Sequence, residues 1–242
     1  MSNWQIVSAS VSGSHAEDAL SDDALDIRTL ADGTILIAVA DGASSAANGR
    51  QGAAWAVQSS LDWLQSQELT PEALPNTLGG ALHCAHRFIA DQGGNIEDYG
   101  CTLLLAVITP ACAAFSQVGD GFIIGDTDGM LRLLTQPFKG PYVNYTKFIT
   151  DGGYDEAAST ALVDTAQLRA LMLMTDGLER VLVRQLTNMI FETPCRQLLD
   201  FAGNADVDDH NSELAAWLSG GTVCSHNDDD KTLVLMVPRN SV

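Results

Sequence analysis

The sequence predicts an α+β fold, in which sheets and helices form separate layers. Residues 34–40 (TILIAVA) are apolar on both faces, as expected of a strand buried between two layers. Two helical segments follow this strand, then a series of short strands, then further helices and a closing strand. The chain has 242 residues and is 46% hydrophobic, which is enough for one well-buried domain or at most two small ones.

The individual elements follow from apolar periodicity and from turn residues. Residues 46–66 place Val57, Leu61 and Leu64 on one stripe of a helix, and a second helix falls within 71–92. Short Gly, Pro or Asp links join the next four strands, so we expect antiparallel hairpins. The further predicted strands are 101–109, 112–118, 122–126, 130–135, 143–149, 170–175 and 232–238, and the further predicted helices are 177–186, 194–202 and 210–219.

Charge and cysteine content exclude several classes of protein. The formal net charge is −19, from 31 acidic and 12 basic residues, and such a surface repels nucleic acid and anionic membranes. No apolar run approaches the roughly 18 residues of a membrane-spanning helix, and the N-terminus lacks the features of a secretory signal. Five scattered cysteines without a CxxC motif predict reduced thiols in a cytoplasmic protein.

Asp-Gly occurs six times, and its context separates turns from candidate ligands. A single pair is usually a turn, because Gly accepts positive φ and Asp bonds to its own backbone. The pairs at 32–33 and 128–129 lie between strand-like runs and predict hairpin turns, and the pair at 151–152 lies in a polar loop. The other three begin with Asp41, Asp120 and Asp176, and each of these aspartates follows an apolar strand.

These three carboxylates are candidates for one metal site. Strands of one core tend to end at the same edge, so we expect the three side chains to converge. Carboxylates brought together raise each other's pKa, and a divalent cation relieves the repulsion. Hard oxygen ligands favour Mg²⁺, Mn²⁺ or Ca²⁺ over zinc.

Two further acidic stretches precede the first and the last predicted core strands. Glu17-Asp18 follows His15 in the first stretch, and Asp228-Asp229-Asp230-Lys231-Thr232 leads directly into the strand at 232–238. Taken alone, the triple aspartate is best interpreted as the solvated start of a strand.

In chain order, these motifs resemble those of the protein phosphatase 2C family of metal-dependent serine/threonine phosphatases. The family has an acidic pair near the N-terminus, Asp-Gly after a core strand, Gly-Asp in mid-chain, Ser/Thr-Asp-Gly, and Asp-Asp/Asn-x-Thr before the last strand. A Gly-x-Thr motif and the segment 142–151 (YVNYTKFITD) add to the likeness, the latter to a compact bacterial branch. The matching residues are Glu17-Asp18, Asp41-Gly42, Gly100-Cys101-Thr102, Gly119-Asp120, Thr175-Asp176-Gly177 and Asp229-Asp230-Lys231-Thr232.

The resemblance implies a fold and a set of metal ligands. The fold would be a four-layer α/β/β/α sandwich, formed by residues 1–242 as a single catalytic domain. Asp41 would bridge two Mg²⁺ or Mn²⁺ ions, and the Gly42 carbonyl would hold one of them. The remaining ligands implied are Asp176 and Asp229 on the other ion, Asp18 directly or through water, and Asp120 with Asp176 on a third, weaker ion.

The resemblance also implies the reaction. A water bridging two metal ions has a lowered pKa and attacks phosphorus in line, so that a phosphoserine or phosphothreonine protein is hydrolysed without a phosphoenzyme. Asp41, Asp176 and Asp229 would be the catalytic carboxylates. A cognate serine/threonine kinase is the expected partner.

The chain departs from the family pattern at two positions. Many members carry an arginine before the acidic pair to bind phosphate, whereas this chain has no Lys or Arg before Arg28; His15 and Arg50 are the candidates here. Many also carry a histidine two residues after the bridging aspartate, where this chain has Ala43. These departures leave open a catalytically weak or inactive module of the same fold that binds phosphoprotein or a partner kinase. A plain calcium-binding acidic protein is a separate alternative.

Overall fold

The fold was analysed in a computed structural model, which describes residues 4–13, 20–138, 140, 145–185, 187–204 and 207–239. The predicted α+β class and the four-layer sandwich are confirmed: two five-stranded antiparallel sheets pack face to face, with helices outside each sheet. All five cysteines are free thiols. Within the described ranges, no helix has the length and apolar character needed to cross a membrane.

Runs of strands are followed by runs of helices along the described residues. The elements in chain order are β1 (Trp4–Val11), β2 (Ala24–Thr29), β3 (Ile35–Ala40), α1 (Gly49–Gln65), α2 (Leu74–Asp91), a 3₁₀ turn (Ile96–Tyr99), β4 (Leu103–Ile108), β5 (Cys112–Val118), β6 (Phe122–Thr127), β7 (Met130–Leu133), α3 (Tyr154–Ala157), β8 (Ser159–Asp164), β9 (Leu168–Met174), a second 3₁₀ turn (Asp176–Leu178), α4 (Glu179–Leu182), β10 (Val183–Arg184), β11 (Met189–Ile190), α5 (Glu192–Gly203), α6 (Val207–Leu218), α7 (Gly221–Cys224) and β12 (Lys231–Pro238).

The two sheets have different chain topologies. The first sheet has the strand order β2-β3-β4-β5-β8, and α1 and α2 cover its outer face. The second sheet has the order β1-β12-β9-β6-β7, and α5 and α6 cover its outer face. A two-stranded ribbon of β10 and β11 lies beside the second sheet. Neighbouring strands in both sheets are antiparallel.

Strand β3 shows why its sequence is apolar on both faces. Ile35, Ile37 and Val39 point into the layer between the two sheets, whereas Leu36 and Ala38 pack under α1 and α2. All six residues of the strand are fully buried. Because successive side chains of a strand point to opposite faces, a strand between two apolar layers needs this composition.

One predicted hairpin is wrong, and the error matters for the site. Strands β5 and β6 do not pair; β5 belongs to the first sheet and β6 to the second, so the chain crosses between sheets at Gly119–Gly121. Gly119 has φ +114° there, a backbone conformation that residues other than glycine rarely adopt. The hairpin predicted at Asp128-Gly129 is confirmed, with β6 and β7 paired on either side of it.

Three other predicted elements differ from the structure. Residues 145–149 of the predicted strand 143–149 form no strand, and 143–144 lie outside the described residues. The predicted helix 177–186 is a 3₁₀ turn and a four-residue helix that ends at Leu182, where the chain enters β10. Helix α1 begins at Gly49, because residues 43–48 fold back and bond to the backbone of Asp98 and Gly100.

Candidate active site

Strand ends from both sheets bring four aspartates together at one edge of the sandwich. Asp41 follows β3 of the first sheet, and Asp176 follows β9 of the second. Asp120 lies on the turn that crosses between the sheets, and Asp229 lies just before β12. The charges of Asp229 and Asp120 raise the pKa of Asp41 and also that of Asp176, so all four carboxyl groups lie close together. The structure therefore brings together the three Asp-Gly aspartates and the triple-aspartate stretch that were singled out in the sequence.

Asp41 and Asp176 form the centre of this cluster. Burial is the main cause that raises the pKa of each carboxyl group well above its usual value, and neighbouring carboxylates raise it further. The two side chains are hydrogen-bonded to each other. Two buried carboxyl groups in contact repel each other when both are ionised, so the pair favours a shared proton or a bound cation.

Thr102 fixes the backbone of Asp41. The Asp41 N–H donates to Thr102 Oγ1 at 3.0 Å, and the Thr102 N–H donates to the Asp41 carbonyl at 2.9 Å. Gly42 then pairs with Cys101 in an isolated antiparallel bridge. A Cβ on Gly42 would lie 2.5 Å from the Gly49 carbonyl carbon, so glycine is needed for close packing against the start of α1.

Asp23 is a member of the cluster that the sequence did not reveal. Its Oδ2 accepts hydrogen bonds from Thr175 Oγ1 at 2.9 Å and Thr232 Oγ1 at 2.7 Å. Burial raises the pKa of Asp23 to about 7, although the two hydroxyl groups act in the opposite direction. Its Oδ1 is buried without a hydrogen-bond partner among the residues described. The available signal was an acidic pair, Asp22-Asp23, placed directly before a strand, as in the stretch before β12.

Within the triple aspartate, Asp230 supports the local backbone and Asp229 remains a predicted ligand. Asp230 accepts from the N–H of Gly13 at 2.6 Å and from the N–H of Asp22, so it ties the ends of the loop between β1 and β2 to the start of β12. A Cβ on Gly177 would collide with the Asp230 carbonyl oxygen, so this backbone packs directly against the turn after Asp176. Asp229 is the exposed neighbour, and its carboxylate remains at the surface of the cluster.

Of the two candidate phosphate ligands, His15 and Arg50, the structure describes only Arg50. His15 lies outside the described residues, as do Glu17 and Asp18, so the roles expected of His15 and Asp18 stay predictions. Arg50 lies on the first turn of α1 with an exposed side chain. Burial raises the pKa of Asp22, and the charge of nearby Arg50 acts in the opposite direction, which places Arg50 beside the cluster.

The donor atoms of the cluster fit a hard divalent cation. They are carboxylate oxygens, with the Gly42 carbonyl next to Asp41, and such oxygens suit Mg²⁺ and Mn²⁺. Within the part of the chain that is described, no three acidic, His or Cys side chains are placed so that they could together hold an ion. A cation that binds both Asp41 and Asp176 would have to displace the proton of their hydrogen bond.

Comparisons with known proteins identify the family of the chain. The sequence profile described as Protein phosphatase 2C matches residues 12–219. Serine/threonine-protein phosphatase 3 of Escherichia coli (strain K12) is 31% identical over 250 residues, which cover 96% of this chain and 98% of that protein.

Solved structures share the fold. Serine/threonine phosphatase Stp1 of Staphylococcus aureus has a TM-score of 0.72 at 16% identity, over 99% of this chain and 96% of that one. The catalytic domain of the phosphatase PstP in complex with two manganese ions has a TM-score of 0.69 at 17% identity, over 98% and 99% of the two chains. With its strand-end aspartates and a family profile that spans most of its length, the chain belongs to the protein phosphatase 2C family.

Proposed function

We propose that this phosphoprotein phosphatase hydrolyses phosphoserine and phosphothreonine in proteins, with two Mg²⁺ or Mn²⁺ ions and a third, weaker one. The observation that carries the proposal is the convergence of Asp41, Asp120, Asp176 and Asp229 from both sheets. The relative with 31% identity is named a serine/threonine-protein phosphatase, and the PstP domain of the same fold was solved with two manganese ions.

The proposed ligands follow from their positions. Asp41 is the central carboxylate and would bridge two ions, with the Gly42 carbonyl on one of them. When bound, the ions would supply an activated water for direct attack on phosphorus and would neutralise the phosphoryl oxygens. Asp176 and Asp229 would hold the second ion, Asp120 and Asp176 the third, and Asp18 would act directly or through water.

Asp23 would hold the two sheets in register around these ligands. Its carboxylate precedes β2 of the first sheet and accepts hydrogen bonds from Thr175 and Thr232 of the second. Thr175 directly precedes Asp176, so a shift of Asp23 would move that ligand. The Oδ1 of Asp23, which has no hydrogen-bond partner among the described residues, is a further oxygen available to a cation or to its water ligands.

Hydrolysis is the direct test of the proposal. We expect Mn²⁺-dependent release of phosphate from a phosphothreonine peptide and from an aryl phosphate, measured with and without chelator. Tight binding of the peptide without metal-stimulated hydrolysis would instead support the non-catalytic module that Ala43 and the lack of an N-terminal arginine suggested. A phosphorylated serine/threonine kinase is the macromolecular substrate that we would test first.

Replacing Arg50 by alanine is expected to raise KM for the phosphothreonine peptide by about three- to tenfold, with a smaller change in kcat. Arg50 is an exposed guanidinium beside an acidic cluster, so its attraction for phosphate is partly screened by solvent. Steady-state kinetics at saturating Mn²⁺ measures both constants. Arg87→Ala removes an exposed arginine of α2 that pairs with Asp91 and serves as the control. An unchanged KM in Arg50→Ala would remove Arg50 from the site.

A further inference from the structure

A buried amide joins the two sheets next to Asp120. Gln117 lies on β5 and is 1% exposed. Its Nε2 donates to the Gly121 carbonyl at 2.9 Å and to the Gly119 carbonyl at 3.2 Å, and its Oε1 accepts from Thr135 Oγ1. Gly119 and Gly121 are the two neighbours of Asp120, so one amide group holds the backbone on both sides of this aspartate.

The amide lies between the two sheets. Phe115, two residues earlier on β5, belongs to the apolar cluster between the sheets, and side chains two residues apart on a strand share a face. Gln117 therefore reaches from the first sheet towards the second, where Gly121 leads into β6 and Thr135 follows β7. The surrounding layer is apolar, so an apolar side chain would fill this position without the need for three polar partners.

The crossing turn has little freedom to compensate for a lost amide. A Cβ on Gly119 would lie 2.5 Å from Thr102 Cγ2, and a Cβ on Gly121 would lie 2.8 Å from the Met174 carbonyl oxygen. The turn therefore packs on Thr102, which also bonds to the backbone of Asp41. The Phe138 N–H donates to the Gly119 carbonyl at 2.8 Å, whereas Gln117 is the side chain that holds Gly121.

We propose that Gln117 is a positioning residue, which sets the place of the Asp120 carboxylate and so the affinity of the site for its weaker divalent ion. The inference rests on the proposed function, because it takes Asp120 as a ligand of that ion. Gln117 itself is buried beneath the turn and touches its backbone rather than the carboxylates. Its effect must therefore pass through the position of Asp120.

The test compares Mn²⁺ binding by Gln117→Met, Asp120→Asn and the double variant, using calorimetric titration of the full chain. Methionine keeps the length and burial of the side chain but removes both donors to the turn. We expect Gln117→Met to weaken the lowest-affinity Mn²⁺ binding by about tenfold, as losses of groups that orient metal ligands do. In the Asp120→Asn background, the same substitution is expected to have no further effect, because the carboxylate that it positions is gone.

A control separates positioning from general loss of stability. Thr109→Val removes a buried hydroxyl group that bonds to the backbone of Ala111 and Cys112, at the turn between β4 and β5. We expect it to lower the melting temperature about as much as Gln117→Met while Mn²⁺ binding stays as in the unmodified chain. Gln117→Asn, which keeps an amide but shortens its reach, provides a second variant should the methionine form fold poorly.

Several results would overturn the inference. One is unchanged Mn²⁺ binding in folded Gln117→Met and Gln117→Asn. Another is a loss of Mn²⁺ affinity in Thr109→Val equal to that in Gln117→Met. A third is that Gln117→Met weakens Mn²⁺ binding as much in the Asp120→Asn background as in the unmodified chain. Binding is read without turnover, so an inactive protein would contradict the proposed function and leave this test intact. Normal Mn²⁺ binding by Asp120→Asn would remove Asp120 from the metal site and the inference with it.

Discussion

Asp41→Asn is expected to lower kcat/KM for Mn²⁺-dependent hydrolysis of an aryl phosphate by about 10³-fold or more, or roughly 4 kcal/mol of transition-state stabilisation. Asp41 lies at the centre of the cluster, where it contacts Asp176 and feels the charges of Asp120 and Asp229. An amide cannot supply the negative charge that a bridging ligand needs. The substitution nearly preserves shape, so the loss would be chemical rather than steric.

The same variant is expected to be more stable than the unmodified chain in the presence of chelator. Asparagine removes one ionisable group from a buried cluster of like charges, where burial and repulsion both oppose ionisation. Each kcal/mol gained would raise the melting temperature by about 2–4 °C for a domain of this size. Loss of activity with a gain in stability distinguishes a functional carboxylate from a structural one.

Asp128→Asn is the matched control for this prediction. Asp128 belongs to another Asp-Gly pair, in the hairpin turn between β6 and β7, and its φ of +56° suits asparagine. We expect this variant to keep its activity. An Asp41→Asn enzyme with the kinetics of the unmodified chain would contradict the proposed metal site, whatever its stability.

The three strand-end aspartates were predictable because each follows a run of apolar residues that only a buried strand explains. Local sequence also distinguished Asp128-Gly129, which lies between two strands, from Asp41-Gly42, which precedes a helix. Which sheet the strand after Gly119 joins was not predictable. A three-residue link can close a hairpin or cross between sheets, and the choice depends on which sheet accepts the next strand.

The role of Asp23 in the site was likewise not predictable from the sequence. Its two hydroxyl donors are 152 and 209 residues away in sequence, so no local pattern connects them to it. The pairing depends on β2 and β12 belonging to facing sheets, which is a property of the complete topology. Strand β8 was missed for a different reason: it is an edge strand with half-exposed and exposed residues in alternation, so its sequence is only weakly apolar.

In chelator, the stability of the chain is expected to fall as pH rises from about 4 to 8. Asp23 has its pKa raised to about 7, and the pKa values of Asp41 and Asp176 lie well above their usual range, mainly because of burial. A raised pKa in the folded state means that folding favours the protonated carboxyl group. The stabilisation is complete below the unfolded pKa of about 4 and is lost as pH rises through the folded value.

Mn²⁺ is expected to reverse this trend, because the ion binds ionised carboxylates and replaces the shared proton of Asp41 and Asp176. Melting temperatures at pH 5 to 8, with chelator and with Mn²⁺, give the stabilisation by metal at each pH, and this difference should grow as pH rises. The net charge of −19 destabilises the chain in both conditions, so the difference isolates the site. Asp128→Asn should show the same growth, whereas Asp41→Asn should show little of it. A stabilisation by Mn²⁺ that is constant across this pH range would mean that the carboxyl groups which titrate are not those that bind the ion.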